Sequence, residues 1–453
     1  MSNSKGITRR KFIKSAGTTA GAAMLLTGPI LSFAANRTGD EKMRVALVGT
    51  GVRGCGMFGR NLLRDYGEYV DLVGICDVNP GRVKYAHNYI NPSGSAYTDL
   101  DDMLAQTTPE WLIITTWDSE HHYNILTGLQ HGCNIICEKP ITIDEQKSQF
   151  ILDAEEKYGK EIIVTFNLRW TPEMSEVKKM LMRETIGQVK TVDFHWNISR
   201  DHMMRYMQRW HGEKDKGGTL WVHKSTHHFD LVNWWLDSEP EEVFAYADLM
   251  EFGPKGPFRG VNCRNCAHTN ECPYYWDITK NEHLTRLYTE NEHYDGYVRD
   301  NCVFREDIDI YDQHSAVVKY ANNVKLNYSL TGDTDHPGIW IAFNGSKGRI
   351  EGRVGGWAED DGHHEWLLKP LGKKPEVIEV LPHEGGHSGG DPLMKNKLFK
   401  DPDMSDALNR SAGTRDGIMS VLIGVAARKS VESGRPVRIG ELTSLTPRAK
   451  RSR

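Results

Sequence analysis

What the sequence lacks narrows the field first. It has no strong excess of one charge: 56 Lys and Arg stand against 61 Asp and Glu, a net charge of −5. A chain that grips nucleic acid carries a basic face or stripe, so this balance argues against a nucleic-acid partner. The one concentrated basic stretch is the terminal Arg448-Ala-Lys-Arg-Ser-Arg453, which reads as a disordered tail. No fixed-period repeat is visible, which argues against a solenoid. Beyond residue 35 no stretch is long and apolar enough to span a bilayer. What remains is 453 residues, 39% hydrophobic and 26% charged, which suits a soluble globular protein of two or three domains.

The N-terminus stands apart. Thr8-Arg9-Arg10-Lys11-Phe12-Ile13-Lys14 is a twin-arginine signature, followed by a small-residue apolar segment from Ala16 to Ala35. Ser32-Phe33-Ala34 offers a cleavage point after Ala34, and no cysteine follows that would make a lipoprotein. Residues 1–35 therefore read as a signal segment for the twin-arginine export machinery, and the mature protein is expected in the periplasm. An ordinary secretory signal or an uncleaved anchor is the alternative.

Residues 43–54 read Met-Arg-Val-Ala-Leu-Val-Gly-Thr-Gly-Val-Arg-Gly. An apolar strand runs straight into Gly49-x-Gly51-x-x-Gly54. The first glycine allows the tight turn, the second lets a pyrophosphate approach the backbone, and the third lets the next helix pack on the strand. A second apolar strand, Tyr69–Cys76, ends in Asp77, which can accept hydrogen bonds from ribose hydroxyls. Apolar and amphipathic stretches then alternate to Phe166. The pattern predicts a dinucleotide-binding Rossmann domain over residues 42–168, with a doubly wound parallel sheet. NAD is the expected nucleotide because Asp77 would repel a 2′-phosphate; Arg82 nearby leaves NADP open.

From about Thr191 strands dominate: Val189–Trp196, Glu242–Asp248, Ala316–Tyr320, Val324–Leu330 and Ile339–Phe343. Two helices are expected near Thr226–Leu236 and Asp416–Glu432. This predicts a second α/β domain, residues 169–440, with an open, mostly antiparallel sheet. Residues 251–311, rich in Gly, Cys, His and Tyr, read as an insertion, and residues 441–453 as the basic tail.

Three segments carry chemistry. Glu138-Lys139-Pro140 ends a parallel strand, where Lys139 faces the ligand crevice and could favour a developing alkoxide. Within Gly217–Asp230, His223, His227 and Asp230 are spaced to share a helix face. Removing a hydride from a carbinol needs a base for the hydroxyl proton, and histidine suits that task. Core or capping histidines are the plain alternative. So is a metal-binding pair, although no Glu follows the first histidine as a metalloprotease requires. Cys263-x2-Cys266-x5-Cys272 with Cys302 could hold one structural zinc ion, or an iron–sulfur centre; disulfides or free thiols are the alternatives. Cys55, Cys76, Cys133 and Cys137 read as small buried residues. Glu384-Gly-Gly-His387-Ser-Gly-Gly-Asp391 is a glycine-rich loop that suits a lid over a sugar.

On Gly49–Gly54, Asp77, Thr116–His121, Glu138-Lys139-Pro140, Asn167-Leu-Arg169-Trp170, Gly217–Asp230 and Asn344–Ile350, the chain resembles the glucose–fructose oxidoreductase / inositol dehydrogenase / rhizopine-catabolism (Gfo/Idh/MocA) family. The resemblance covers nearly all the mature chain. It implies an NAD(P)-dependent oxidoreductase acting on a secondary hydroxyl of a sugar, glycoside or cyclitol, on a fold whose open sheet supports a homo-oligomer. It implies Lys139 as the substrate-orienting lysine and His227 as the catalytic acid/base. Gly49, Gly51, Arg53, Gly54, Asp77, Thr116, His121, Glu138 and Lys139 would bind the cofactor. Arg169, His223, Lys224 and His387 would meet the carbohydrate. Where many members carry an aspartate four residues before the catalytic histidine, this chain has His223, so inositol as substrate does not follow. Some relatives hydrolyse glycosides by transient oxidation, elimination and re-reduction, which is the alternative function; a non-enzymatic nucleotide- or sugar-binding protein is the second. An exported dehydrogenase meets little free NAD, so a cofactor that stays bound is expected.

Overall fold

A computed structural model describes residues 41–355, 364–381 and 383–451. The twin-arginine segment lies outside the described residues. Six short apolar segments build the first sheet: β1 Met43–Val48, β2 Val70–Cys76, β3 Ser95–Tyr97, β4 Trp111–Ile114, β5 Asn134–Cys137 and β6 Ile162–Val164. They run parallel in the order β6-β5-β4-β1-β2-β3. Strands of such a sheet are covered on both faces, which is why β1, β4 and β5 are almost wholly apolar and buried. The covering helices include α1 (Asn61–Tyr66), α2 (Pro80–Ile90), α3 (Leu100–Thr107), α4 (His121–Gln130) and α5 (Glu145–Tyr158). Their ends follow local chemistry. Asn79 accepts the Arg82 N–H to cap α2, with Pro80 at its first position; Asp144 caps α5, and Gly159 at φ 62° ends it. The chain enters α1 through a wider π-helical turn over Gly54–Arg60, a form common at functional sites.

The second sheet holds nine strands: β7 Val189–Ser199, β8 Pro240–Asp248, β9 Gln313–Tyr320, β10 Lys325–Thr334, β11 Gly338–Gly345, β12 Gly348–Val354, β13 His364–Pro370, β14 Glu376–Val380 and, near the C-terminus, β16 Val437–Arg438. Its order is β14-β13-β12-β11-β7-β10-β9-β8-β16, antiparallel except where β7 meets β10. Burial alternates along β9 and β10, so one face rests on the core and the other stays open. Helices α6 (Pro172–Met182), α7 (Thr226–Leu236) and α8 (Thr414–Ser433) belong to this half. The expected fold class therefore holds, and both expected helices form. Strands β12 to β14 extend the sheet beyond what the sequence reading foresaw. A further strand, β15 (Ala412–Gly413), returns from the far end of the chain and pairs antiparallel with β6 at the edge of the first sheet.

The segment between β8 and β9 has no strand, only the single bridge Asn262–Asn301 and short helices such as Glu282–Leu287 and Glu292–Asp295. The expected disordered tail is corrected. The Arg448 N–H donates to Glu239 at 2.8 Å, the Arg451 N–H donates to the Asp237 carbonyl at 2.8 Å, and Arg451 pairs with Asp416. Backbone N–H groups that meet the buried Glu239 carboxylate and the Asp237 carbonyl just after α7, with the Arg451 side chain on Asp416 at the start of α8, fix residues 448–451, which composition alone marks as loose. Cys55, Cys76, Cys133 and Cys137 are buried as expected, and burial pushes the Cys55 and Cys76 thiols up to about 12. Among the described residues no helix is long and apolar enough to cross a membrane.

Candidate active site

The glycine turn has the geometry a dinucleotide needs. Gly49 has φ +90°, and a Cβ there would lie 2.6 Å from the Thr115–Thr116 backbone; one on Gly54 would lie 2.0 Å from the Gly49 carbonyl. These two positions admit only glycine. Among the described residues a Cβ at Gly51 would meet the Tyr288 hydroxyl alone, at 3.1 Å. The backbone there is open to a ligand, as the pyrophosphate requires. Asp77 stands at the end of β2, but its carboxylate faces protein donors. Oδ2 accepts from the Thr50 N–H and hydroxyl at 2.8 and 3.0 Å, and Oδ1 from the Asn79 N–H and from Arg82, both at 3.0 Å.

Arg53, expected at the cofactor, donates to Glu138 at 2.7 Å and lies 3.8 Å from Asp391. Asp391 accepts from Asn167 at 2.6 Å and pairs with His387 at 2.9 Å. The glycine turn, the Glu138-Lys139-Pro140 turn and the glycine-rich C-terminal loop are thus tied into one chain of contacts. Burial alone would raise the Asp391 carboxyl, but the His387 hydrogen bond and then Arg53 hold it down to about 2. Thr116 accepts from Asn124 at 2.9 Å. His121 needs correction as a cofactor ligand. It is 1% exposed, its Nδ1 faces the Pro140 carbonyl at 2.8 Å and its Nε2 the Thr116 carbonyl at 3.3 Å. It staples two loops beneath the site.

Lys139 closes on the second domain. Its peptide bond to Pro140 is cis, and its Nζ donates to the His223 carbonyl at 3.0 Å. His223 and His227 do not share one helix. A short helix, Leu220–His223, stops, and α7 begins at Thr226. Both imidazoles nonetheless lie close enough to Lys139 for its charge to lower their proton affinity. Burial first, then Lys139 and Lys224, holds the His227 imidazole well below its ordinary value, so it is a neutral base. Its Nδ1 is buried and has no hydrogen-bond partner among the described residues. Burial, and next Lys139 and Arg53, lowers the Lys224 ammonium to about 7.

Arg169 is also corrected. It is 1% exposed and grips Asp230, with Nε 2.7 Å from the carboxylate, and reaches Asp416 at 3.2 Å. It is buried on Asp230 and so anchors α7. Asp230 accordingly belongs to that anchor and does not join the two histidines.

Four groups escaped the sequence reading. Asp118 accepts from or donates to His223 Nδ1 at 2.6 Å. Burial raises its carboxyl well above the usual range, and burial, then Lys139, lowers the His223 imidazole well below its own. The His211 ring lies 4.1 Å from the His223 ring, and Tyr206 bonds His202 at 2.8 Å. The run His202-Met-Met-Arg-Tyr206 followed by Trp210-His211, crowded with aromatic and imidazole groups, was the available signal.

The cysteines of the insertion line one small pocket with Phe258 and Tyr274. The Gly260 and Phe304 N–H groups each lie 3.4 Å from Cys302 Sγ, and the His268 N–H 3.4 Å from Cys266 Sγ. All eight cysteines are free thiols, and among the described residues no group of three or more His, Cys, Asp or Glu is placed to hold a metal ion. The zinc or iron–sulfur expectation at Cys263, Cys266, Cys272 and Cys302 is therefore not supported.

Comparison with known proteins adds to this geometry. Residues 43–166 match the profile described as "Oxidoreductase family, NAD-binding Rossmann fold", and residues 178–439 match "Oxidoreductase family, C-terminal alpha/beta domain". YteT of Bacillus subtilis, provisionally named an oxidoreductase, is 33% identical over 88% of this chain and 98% of its own. The inositol 2-dehydrogenase/D-chiro-inositol 3-dehydrogenase of Lactiplantibacillus plantarum is 25% identical over 45% of this chain and 55% of its own. The WlbA dehydrogenase of Bordetella pertussis, solved with NADH and UDP-GlcNAcA, superposes with a TM-score of 0.63 at 18% identity, covering 88% of this chain and 99% of that one.

Proposed function

The chain belongs to the Gfo/Idh/MocA oxidoreductases, an NAD-binding family acting on CH–OH groups, and on that premise we propose that it is an exported enzyme oxidising a secondary hydroxyl of a sugar, glycoside or cyclitol. The observation that carries the reading is the meeting of Lys139 Nζ with the His223 carbonyl, at the turn that leads into the helix of His227. Lys139 thus stands close enough to lower the proton affinity of the His227 imidazole, and its neighbour Glu138 pairs with Arg53 of the glycine turn.

Gly49, Gly51 and Gly54 would hold NAD, which would supply the hydride acceptor. The residues of the chain do the rest. Lys139 donates a hydrogen bond to the substrate oxygen and favours negative charge on it. His227 takes the hydroxyl proton; its lowered proton affinity keeps it in the accepting form at neutral pH. Asp118 fixes the His223 ring, which stands where many relatives have an aspartate. His387, on its loop beside Asp391, meets the carbohydrate from the other side.

Arg82 bears on the choice of nucleotide. It lies between Asp77 at 3.0 Å and Asp295 at 2.8 Å, and so is already neutralised by two carboxylates. A 2′-phosphate would face both acids, which favours NAD over NADP. The open face of the second sheet, with Tyr246 68% and Val317 47% exposed, suits a homo-oligomer. The twin-arginine segment carries the periplasmic location.

The test is single-turnover absorbance at the nicotinamide band with a panel of sugars, glycosides and cyclitols. A burst of reduced nucleotide with at least one of them is expected. Glycoside cleavage with no net reduced nucleotide would replace simple oxidation with the redox-neutral hydrolysis of some relatives. Ligand binding unchanged by Lys139→Ala, with no chemistry in either protein, would leave a binding protein.

A further inference from the structure

We propose that the insertion between β8 and β9 is a cofactor clamp: Tyr288 and Arg299 close over the pyrophosphate, and the Asp77–Arg82–Asp295 chain seals the adenosine end, so that NAD is retained between turnovers. The proposal rests on the NAD-binding reading of Gly49–Gly54.

The insertion sits on the nucleotide site itself. The Tyr288 hydroxyl accepts the Val52 N–H at 3.0 Å. Val52 lies inside the Gly49–Gly54 turn, whose N–H groups are the donors that a pyrophosphate takes. Among the described residues the same hydroxyl is the one group near the open side of Gly51. Tyr288 is 6% exposed, and its ring is held by Arg299 at 4.4 Å, Arg82 at 5.5 Å and Tyr297 at 5.8 Å. Nothing in the residue-type pattern of the insertion announces this. It follows from where the segment folds.

The adenosine side is covered by a second group of contacts. Asn79, just past Asp77, donates to the Asn291 carbonyl at 2.8 Å, and Arg82 bridges Asp77 to Asp295. A Cβ on Gly81 would lie 2.0 Å from Asn291 Oδ1, so the Asn291 side chain packs directly on the Gly81 backbone. Further out, Tyr85 bonds His283 at 2.9 Å. On the nicotinamide side Tyr297 reaches Trp117, with ring centroids 5.9 Å apart.

Charge points the same way. The Arg299 Nε is buried without a hydrogen bond, and among the described residues no carboxylate pairs with Arg299. Arg209 lies close enough that Arg299 adds to the effect of burial in lowering its proton affinity, to about 10. Two guanidinium groups held near each other without an acid between them favour an anion, and a diphosphate is the anion that the adjoining glycine turn is built for. A Tyr288 hydroxyl that now accepts the Val52 N–H can instead donate to a phosphate oxygen. The insertion must swing aside for the nucleotide to leave.

The experiment follows release of NADH from the full mature protein by its fluorescence, after mixing with excess NAD⁺ to trap the vacated site. Wild type is expected to keep its nucleotide through desalting. Tyr288→Ala and Arg299→Gln should each release NADH at least tenfold faster, with circular dichroism and melting of the nucleotide-free proteins unchanged. Glu306→Gln, an exposed change on the same insertion, should release it at the wild-type rate. If both site variants fold and release NADH as wild type does, the clamp is wrong while the nucleotide reading stands. If wild type fails to bind NADH at equilibrium, both fall.

Discussion

The nucleotide-binding half and the insertion that covers it are held in shape by different means. In the first, strands β1 to β6 are fixed by backbone ladders and buried apolar side chains, and function sits at their ends. In the insertion, individual side chains do this work. Asp312, 3% exposed, accepts the N–H groups of Met250 and Glu251 at 2.9 and 2.8 Å. Arg264 ties Asp300 at 2.9 Å to Glu292 at 2.8 Å. A ladder tolerates the loss of one side chain, because each bond is shared along the backbone. A region held by a few charged contacts yields locally when one is removed.

Four experiments press on that contrast. The largest effect is expected where the ladder presents chemistry. Lys139→Ala and His227→Ala should each lower the chemical rate by roughly 10²–10⁴-fold with little change in melting temperature; stopped-flow on a verified substrate decides it, and a rate near wild type would remove that residue from the mechanism. Next is the anchor of α7. Asp230→Ala leaves Arg169 buried with only Asp416, and should cost about 3 kcal/mol in urea unfolding. A loss under 1 kcal/mol would mean the pair is dispensable.

The third concerns acid. Burial lowers His121 from 6.5 to about 4, against the two carbonyls that favour its charged form. Between those pH values the unfolded chain binds a proton that the folded chain refuses. Stability is therefore complete above pH 6.5 and falls as the pH drops toward 4, at up to about 1.4 kcal/mol per pH unit for this group. His121→Gln should flatten the acid side of the stability profile by that slope; an unchanged slope would contradict the burial argument. The smallest effect is expected in the insertion. Asp312→Asn should cost about 1–2 kcal/mol, confined to residues 249–312. Limited proteolysis should then cut there first, leaving the first sheet intact, and uniform cleavage would show that the two regions unfold together.

The same contrast explains what the sequence revealed. Period and glycine spacing expose ladder-held structure, so β1, the Gly49–Gly54 turn and the place of Lys139 just past β5 were legible, as were α7 and α8. Sites assembled by distant side chains were not. Arg169 looked like a substrate residue because it stands in a motif, yet its partner Asp230 is far along the chain and turns it inward. His121 was misread for the same reason. Asp118 gave no local sign that it would meet His223. The cysteine spacing suggested a metal centre, whereas the folded segment presents free thiols.

The pairing of β15 with β6 bears on how the molecule comes into being. The first sheet reads as an N-terminal unit, but its outermost strand is supplied by Ala412–Gly413, after the whole second sheet except β16 has been made. Until then a growing chain carries Ile162–Val164 as an open edge, the kind of edge that invites wrong pairing. Closing it depends on a contact of very long sequence separation, which slows the final step of folding. Translation that stops between β6 and residue 412 yields a chain with its Gly49–Gly54 turn but an unfinished sheet, so completeness of translation is registered at the edge of the nucleotide domain itself.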